Sequence, residues 1–192
     1  FEDHAQVDSV LKMVRQSAGD IVLFGEDLEL LAITMNDELL NSDRYQQSAG
    51  KLTITDAPDE VTLALQVRIC PQTNTALEGF YRAGSGDETM FVTQCEPEGF
   101  RKITFYPDRP DVLAIFTTRL EADKRYPTLL ANGNLVESGE MIDTPNRHYA
   151  IWHDPTNKPS YLFACVVADL DVLADSYTTS EGREVLLEVY AK

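Results

Sequence analysis

The stretch Val61-Thr-Leu-Ala-Leu-Gln-Val-Arg-Ile-Cys70 decides the fold class. Val61, Leu63, Leu65, Val67 and Ile69 fall at every second position, with Thr62, Ala64, Gln66, Arg68 and Cys70 between them. Successive side chains of a strand point to opposite faces, so this is a half-buried antiparallel strand with a mostly polar outer face. Asp56-Ala-Pro-Asp59 supplies the turn into it, and Pro71, which has no N–H to give to a ladder, stops it.

Working outward, the same kind of segment recurs. Residues 7–14 are apolar at both odd and even positions, which predicts a strand covered on both faces. Ser17-Ala-Gly-Asp20 reads as a turn and residues 21–24 as a short strand. Between residues 28 and 35 the apolar phase slips from Leu28 and Leu30 to Leu31, Ile33 and Met35, the mark of a β-bulge. Asn36-Asp37 then reads as a hairpin turn. Downstream, strands are expected over residues 77–82 and 89–95, around a Gly84-Ser-Gly86 turn, and over 112–121. Residues 128–131 and 135–137 flank Asn132-Gly-Asn134, a hairpin pattern. Residues 147–153 alternate, 161–167 form a nearly continuous apolar run expected to be covered on both faces, and 177–179 and 184–190 flank Ser180-Glu-Gly-Arg183. Helical turns are expected only at Pro97-Glu-Gly-Phe100 and at residues 172–175. A dozen short strands punctuated by turns indicate an all-β antiparallel sandwich or open barrel in a single domain, residues 1–192.

Composition narrows the function. Thirty-two Asp and Glu against sixteen Lys and Arg give a formal charge of −16. Phosphate neutralisation supplies most nucleic-acid affinity, so no nucleic-acid partner is expected; anionic lipid would repel the chain as well. A cationic ligand such as a peptide α-ammonium is favoured by the same field. No apolar run approaches the roughly 18 residues of a membrane span. Cys70, Cys95 and Cys165 are odd in number and far apart, which points to reduced thiols and to the cytoplasm, with Cys165 in the core.

The familiar catalytic patterns are missing: no HExxH, no GxSxG, no phosphate loop. His148 and His153 are five apart, on opposite faces of a strand, so they read as strand or surface residues rather than metal ligands. No metal site and no catalytic residue are expected in this chain. Phe91-Val-Thr-Gln94-Cys-Glu96-Pro-Glu98-Gly-Phe100-Arg101 stands apart. Gln94 and Glu96, two apart at a strand end, share a face. Such a pair can accept charge-assisted hydrogen bonds from an ammonium group. Spacing alone favours two polar residues that simply end a strand.

Several stretches together resemble one family: Asn74-Thr-Ala-Leu-Glu-Gly-Phe80, Thr93-Gln-Cys-Glu-Pro-Glu-Gly-Phe-Arg101, Tyr106-Pro-Asp-Arg-Pro-Asp-Val-Leu-Ala114, Leu130-Ala-Asn-Gly-Asn134, Lys158-Pro-Ser-Tyr-Leu-Phe-Ala164 and Gly182-Arg-Glu184, with Gly25-Glu-Asp-Leu28 upstream. In this order they resemble the N-terminal domain of M1 zinc aminopeptidases of the bacterial aminopeptidase N type. The resemblance implies a saddle-like β-sandwich that walls the active site of a separate catalytic domain. The family's zinc ligands and its GAMEN anchoring loop lie outside such a domain, and neither motif occurs here. Zinc is therefore a cofactor of that other domain, and the chain by itself is expected to be inactive. The resemblance also gives Gln94 and Glu96 a role: binding the free α-amine of a peptide substrate. Arg109 and Asp111 are expected to make structural ion pairs or turn contacts at the domain junction. The chain starts at Phe1, inside what reads as a strand approach, and ends at Tyr190-Ala-Lys192, which reads as a piece excised from a longer aminopeptidase whose downstream catalytic domain is its partner. Two alternatives stay in view. One is a free-standing β-sandwich that binds protein or carbohydrate through an exposed aromatic groove. The other is an independent hydrolase built on a carboxylate pair.

Overall fold

The computed structural model describes residues 3–192, so the expected strand approach at Phe1 lies outside the described residues. In chain order the strands are β1 (Ala5–Val14), β2 (Ile21–Phe24), β3 (Glu29–Met35), β4 (Glu38–Leu39), β5 (Tyr45–Ser48), β6 (Lys51–Ile54), β7 (Glu60–Ile69) and β8 (Gly79–Ala83). Then come β9 (Met90–Gln94), β10 (Leu113–Asp123), β11 (Thr128–Ala131), β12 (Asn134–Glu140), β13 (Arg147–Pro159), β14 (Cys165–Ala168), β15 (Asp171–Thr178) and β16 (Glu184–Ala191). Helical structure among the described residues is confined to 3₁₀ turns of three residues, so the all-β expectation is borne out.

Two sheets, β1-β7-β3-β4 and β2-β6-β5, bury one core between them. The central strand is β7, whose five alternating side chains all face inward, from Val61 to Ile69. Each such side chain contributes on the order of 1.5–3 kcal/mol of burial. Leu23 of β2 and Leu52 and Ile54 of β6 meet them from the other sheet. The expected bulge is present: the register of β3 on β7 shifts between Leu30 and Ala32. Asn36 and Asp37 both adopt positive φ, 52° and 67°, and close the β3–β4 hairpin, as read.

A second pair of sheets, β11-β14-β9-β8 and β10-β13-β12, encloses Ala122, Leu129, Ala150 and Val167, with Phe91 and Trp152 packed against them. Between the two halves lies an aromatic knot. Phe100 meets Tyr106 edge-on at 4.8 Å and Phe163 at 5.1 Å between ring centroids, and Phe116 completes the cluster. The β15–β16 hairpin follows this second half.

Four local expectations are corrected. β1 is covered on one face only, since its outer residues Val10 and Val14 face solvent. Residues 172–175 belong to strand β15, not to a helical turn. Residues 161–167 split into a 3₁₀ turn at Ser160–Leu162 and the short strand β14, because Pro159 ends β13 and Phe163 turns inward to the aromatic knot. Asn132-Gly-Asn134 does not join a hairpin: β11 pairs with β14 and β12 with β13, so this turn carries the chain from one sheet to its neighbour. Gly133 is required there, with φ of +93° and His153 O 2.2 Å from where a Cβ would stand. A tight glycine turn marks a reversal; which sheet receives the next strand is decided by packing.

Candidate functional site at the end of β9

β9 pairs with β8 on one side and β14 on the other, and ends at Gln94, opposite Gly79. Gln94 and Glu96 are exposed and flank the buried Cys95. The expected strand continuation is corrected: the ladder stops at Gln94, so Glu96 opens the turn that runs to Gly99. The Gln94 amide reaches back to the Glu96 backbone carbonyl at 3.4 Å. Both side chains are exposed to solvent at the end of the ladder. Neither of two clefts on the surface, about 260 Å³ beside Cys70, Asn74, Phe80 and Lys102 and about 160 Å³ beside Arg15, Gly19 and Asp59, is lined by Gln94 or Glu96.

The turn that carries Glu96 is braced from below. The Gly99 N–H donates to Cys95 O at 3.0 Å, and a Cβ at Gly99 would lie 2.3 Å from Gln94 O and 3.1 Å from the Gly79 N. Thr93 holds the preceding strand: its hydroxyl accepts from the Cys165 N–H at 2.9 Å. Arg101, only 8% exposed, closes the other end. Its Nε bonds Asp108 Oδ2 at 3.0 Å, one terminal nitrogen reaches Glu98 Oε2 at 2.9 Å, and its plane lies 4.7 Å from the Phe24 ring centroid. Asp108 also accepts from the Ser160 hydroxyl. Removing one partner of such a buried pair strands the other charge, at a cost of about 3–5 kcal/mol. Next door, Lys102 is flanked by Asp27 at 3.2 Å and Glu26 at 3.3 Å. Burial alone lowers the Lys102 pKa, but those two carboxylates hold it above the ordinary lysine value.

Burial also pushes the Cys95 thiol up to about 12, with Asp108 adding to the effect. Cys95 is therefore a protonated core side chain at neutral pH and no nucleophile. Thr93, Gly99, Asp108 and Ser160 were not singled out by sequence reasoning, nor was Arg101. Phe100-Arg-Lys-Ile-Thr-Phe105 mixes two cations and a threonine with apolar residues, so nothing local marks which cation is buried. Arg109 and Asp111 form the expected ion pair, 2.5 and 2.9 Å apart at two atom pairs, and both are exposed. His148 Nε2 donates to Tyr126 O, and His153 Nδ1 shares a hydrogen bond with the Thr117 hydroxyl, so both are engaged within the chain.

Residues 4–162 match the family described as the peptidase M1 N-terminal domain. Aminopeptidase N of Escherichia coli is 49% identical over 187 residues, which cover 96% of this chain and 21% of that protein. The chain spans about one fifth of the length of the curated relatives it matches. Among solved structures, Legionella pneumophila aminopeptidase A in complex with aspartic acid superposes with a TM-score of 0.86 at 33% identity, over 96% of this chain and 22% of that one. A two-domain M1 zinc metallopeptidase bound to L-arginine shares the fold, with a TM-score of 0.77 at 18% identity, and this chain corresponds to 43% of it. A family match over most of the sequence, joined to near-half identity along almost all of it, settles the assignment: the chain belongs to the peptidase M1 N-terminal domain family, the amino-terminal part of aminopeptidase N-type zinc peptidases.

Proposed function

We propose that this chain is the non-catalytic N-terminal module of a longer zinc aminopeptidase, and that Glu96, with Gln94 beside it, anchors the α-ammonium of the peptide whose first residue is removed. The supporting observation is the placement of Glu96: an exposed carboxylate on a short turn braced by Gly99, Arg101 and Asp108. An exopeptidase must recognise the chain start. A carboxylate fixed in the wall of the longer enzyme's active site does so in this reading, because only a free N-terminus brings –NH3⁺ to it. An acetylated or internal peptide bond would leave that carboxylate desolvated and unpaired, a penalty of about 2–5 kcal/mol.

The chain's own donor set does not fit a zinc centre. Among the described residues no three His, Cys, Asp or Glu side chains gather as ligands. The metal, which polarises the scissile carbonyl in such enzymes, belongs to a catalytic module of the same polypeptide in this reading. The chain's contribution is to bind and orient. All three cysteines are free thiols, which supports a reducing, cytoplasmic setting.

In the longer enzyme, Glu96→Ala is expected to raise KM sharply and lower kcat while zinc content stays the same. Unchanged kinetics overturn the site assignment. The 192-residue chain with added zinc is expected to give no turnover of an aminoacyl chromogenic substrate.

A further inference from the structure

The turn from Cys95 to Lys102 sets two cations, Arg101 and Lys102, among acids from several elements. Arg101 takes Asp108 Oδ2 at 3.0 Å through Nε, Glu98 Oε2 at 2.9 Å through one terminal nitrogen and Glu26 Oε1 at 3.9 Å through the other. Lys102 takes Asp27 at 3.2 Å, shares Glu26 at 3.3 Å and reaches Glu78 at 3.9 Å. Of the carboxylates on or around this turn, Glu96 is the one that no cation of the described residues pairs.

The sorting matters most for Glu98. It stands two residues beyond Glu96 on the same turn, and its side chain is 56% exposed, so a charged substrate could reach it. Arg101 is in no position to let it go. Its Nε and its backbone N–H both donate to Asp108 Oδ2, a terminal nitrogen also donates to Asp108 O at 3.0 Å, and the Phe24 ring lies 4.7 Å from the guanidinium centre. A guanidinium is a rigid fork of donors. With its inner side fixed on Asp108, its outer side is aimed, and Glu98 occupies the place it is aimed at.

We infer that Arg101 is a positioning residue that sets the register of substrate binding: by holding Glu98 it leaves Glu96 as the single carboxylate of the turn available to a peptide α-ammonium. This rests on the anchoring reading under Proposed function. An ammonium gains charge-assisted hydrogen bonds at any free carboxylate. Two free acids on one turn would offer it two seats, and only one of them brings the first peptide bond to the metal of the longer enzyme. Occupation of the other is unproductive. A substrate that would use Glu98 must first displace a guanidinium already bonded to it, so that seat stays closed.

The test is steady-state kinetics of the longer enzyme on an aminoacyl chromogenic substrate. Lysine in place of Arg101 can keep its charge on Asp108 but has no fork to reach Glu98. Arg101→Lys is therefore expected to lower kcat and KM together, each at least about threefold, with kcat/KM within about twofold of the unmodified enzyme, as an unproductive binding mode requires. Glu98→Gln, whose amide oxygen still accepts from Arg101, is expected to change neither constant alone and to restore both when added to Arg101→Lys. Glu98→Asp shortens the acid by one methylene and releases it with the Arg101–Asp108 pair intact; it is expected to reproduce the parallel fall, and it carries the test if Arg101→Lys folds poorly. A raised KM in Arg101→Lys that Glu98→Gln fails to reverse makes Arg101 a brace of the turn and overturns the inference. A raised KM in Glu98→Gln alone makes Glu98 a substrate contact and overturns it too, as do unmodified kinetics in both Arg101→Lys and Glu98→Asp. None of these results removes the anchoring role of Glu96, which falls only with unchanged kinetics in Glu96→Ala.

Discussion

Gly99 carries more of the candidate site than its size suggests. It has ordinary backbone geometry, with φ of −94°, so conformational freedom is not the reason for glycine. The reason is space: a Cβ would press on Gln94 O and Cys95 Cα, both backbone atoms that cannot swing aside. Gly99→Ala is therefore expected to cost about 1–3 kcal/mol. It should also push the Glu96 turn off the end of β9. The measurement is paired: a lower urea midpoint for the 192-residue chain, and a raised KM in the longer enzyme. A normal KM with a lowered midpoint would mean that the turn holds Glu96 by other means. Two exposed polar residues, Gln94 and Glu96, around Cys95 at a strand end were legible in the sequence, although the ladder stops at Gln94 and strand period no longer sets where Glu96 points. The bracing by Arg101, Asp108 and Ser160 was not, because it joins residues 52 positions apart through a buried carboxylate.

Among the elements, the β3–β4 hairpin is where local chemistry and tertiary packing agree. Asn36 and Asp37 both stand at positive φ, and the Asn36 side chain accepts from the Thr62 N–H at 2.9 Å, which ties the turn to β7. Asp37 has no such bond to justify its strained backbone. Asp37→Gly is expected to relieve about 1 kcal/mol of left-handed strain. For a chain of this length that raises Tm by about 2–4 °C, readable by calorimetry; a fall would show an unrecognised role for the carboxylate. Asn132-Gly-Asn134 teaches the opposite lesson. Its turn chemistry was legible, but β11 and β12 go to different sheets because Leu129 and Trp152 pack across the sandwich, with the Trp152 ring N–H on Leu129 O at 2.9 Å.

For the molecule as a whole, three buried acids set the alkaline limit. Burial raises Cys95, Tyr106 and Cys165 each to about 12, from ordinary values of 9.0 for the thiols and 10.0 for the phenol. Asp108 adds to the first two, and the neighbouring Cys95 to Cys165. Below about pH 9 both folded and unfolded chains keep these protons, and no stability depends on them. Between about 9 and 12 the unfolded chain releases protons the folded chain retains, so stability falls as pH rises. The urea midpoint is expected to drop steadily across that window, and Cys95→Ala with Cys165→Ala to flatten the slope. A midpoint constant to about pH 11 would contradict it.

The amino-acid sequence alone determined the all-β class, the central strand β7 and the bulge in β3. Each of these follows from neighbours within ten residues, where strand period and turn chemistry act directly. Which sheet takes β12 and how the turn under Glu96 is braced were decided by the tertiary structure. They depend on side chains far apart in the chain competing for the same buried volume, and such a competition has no local pattern.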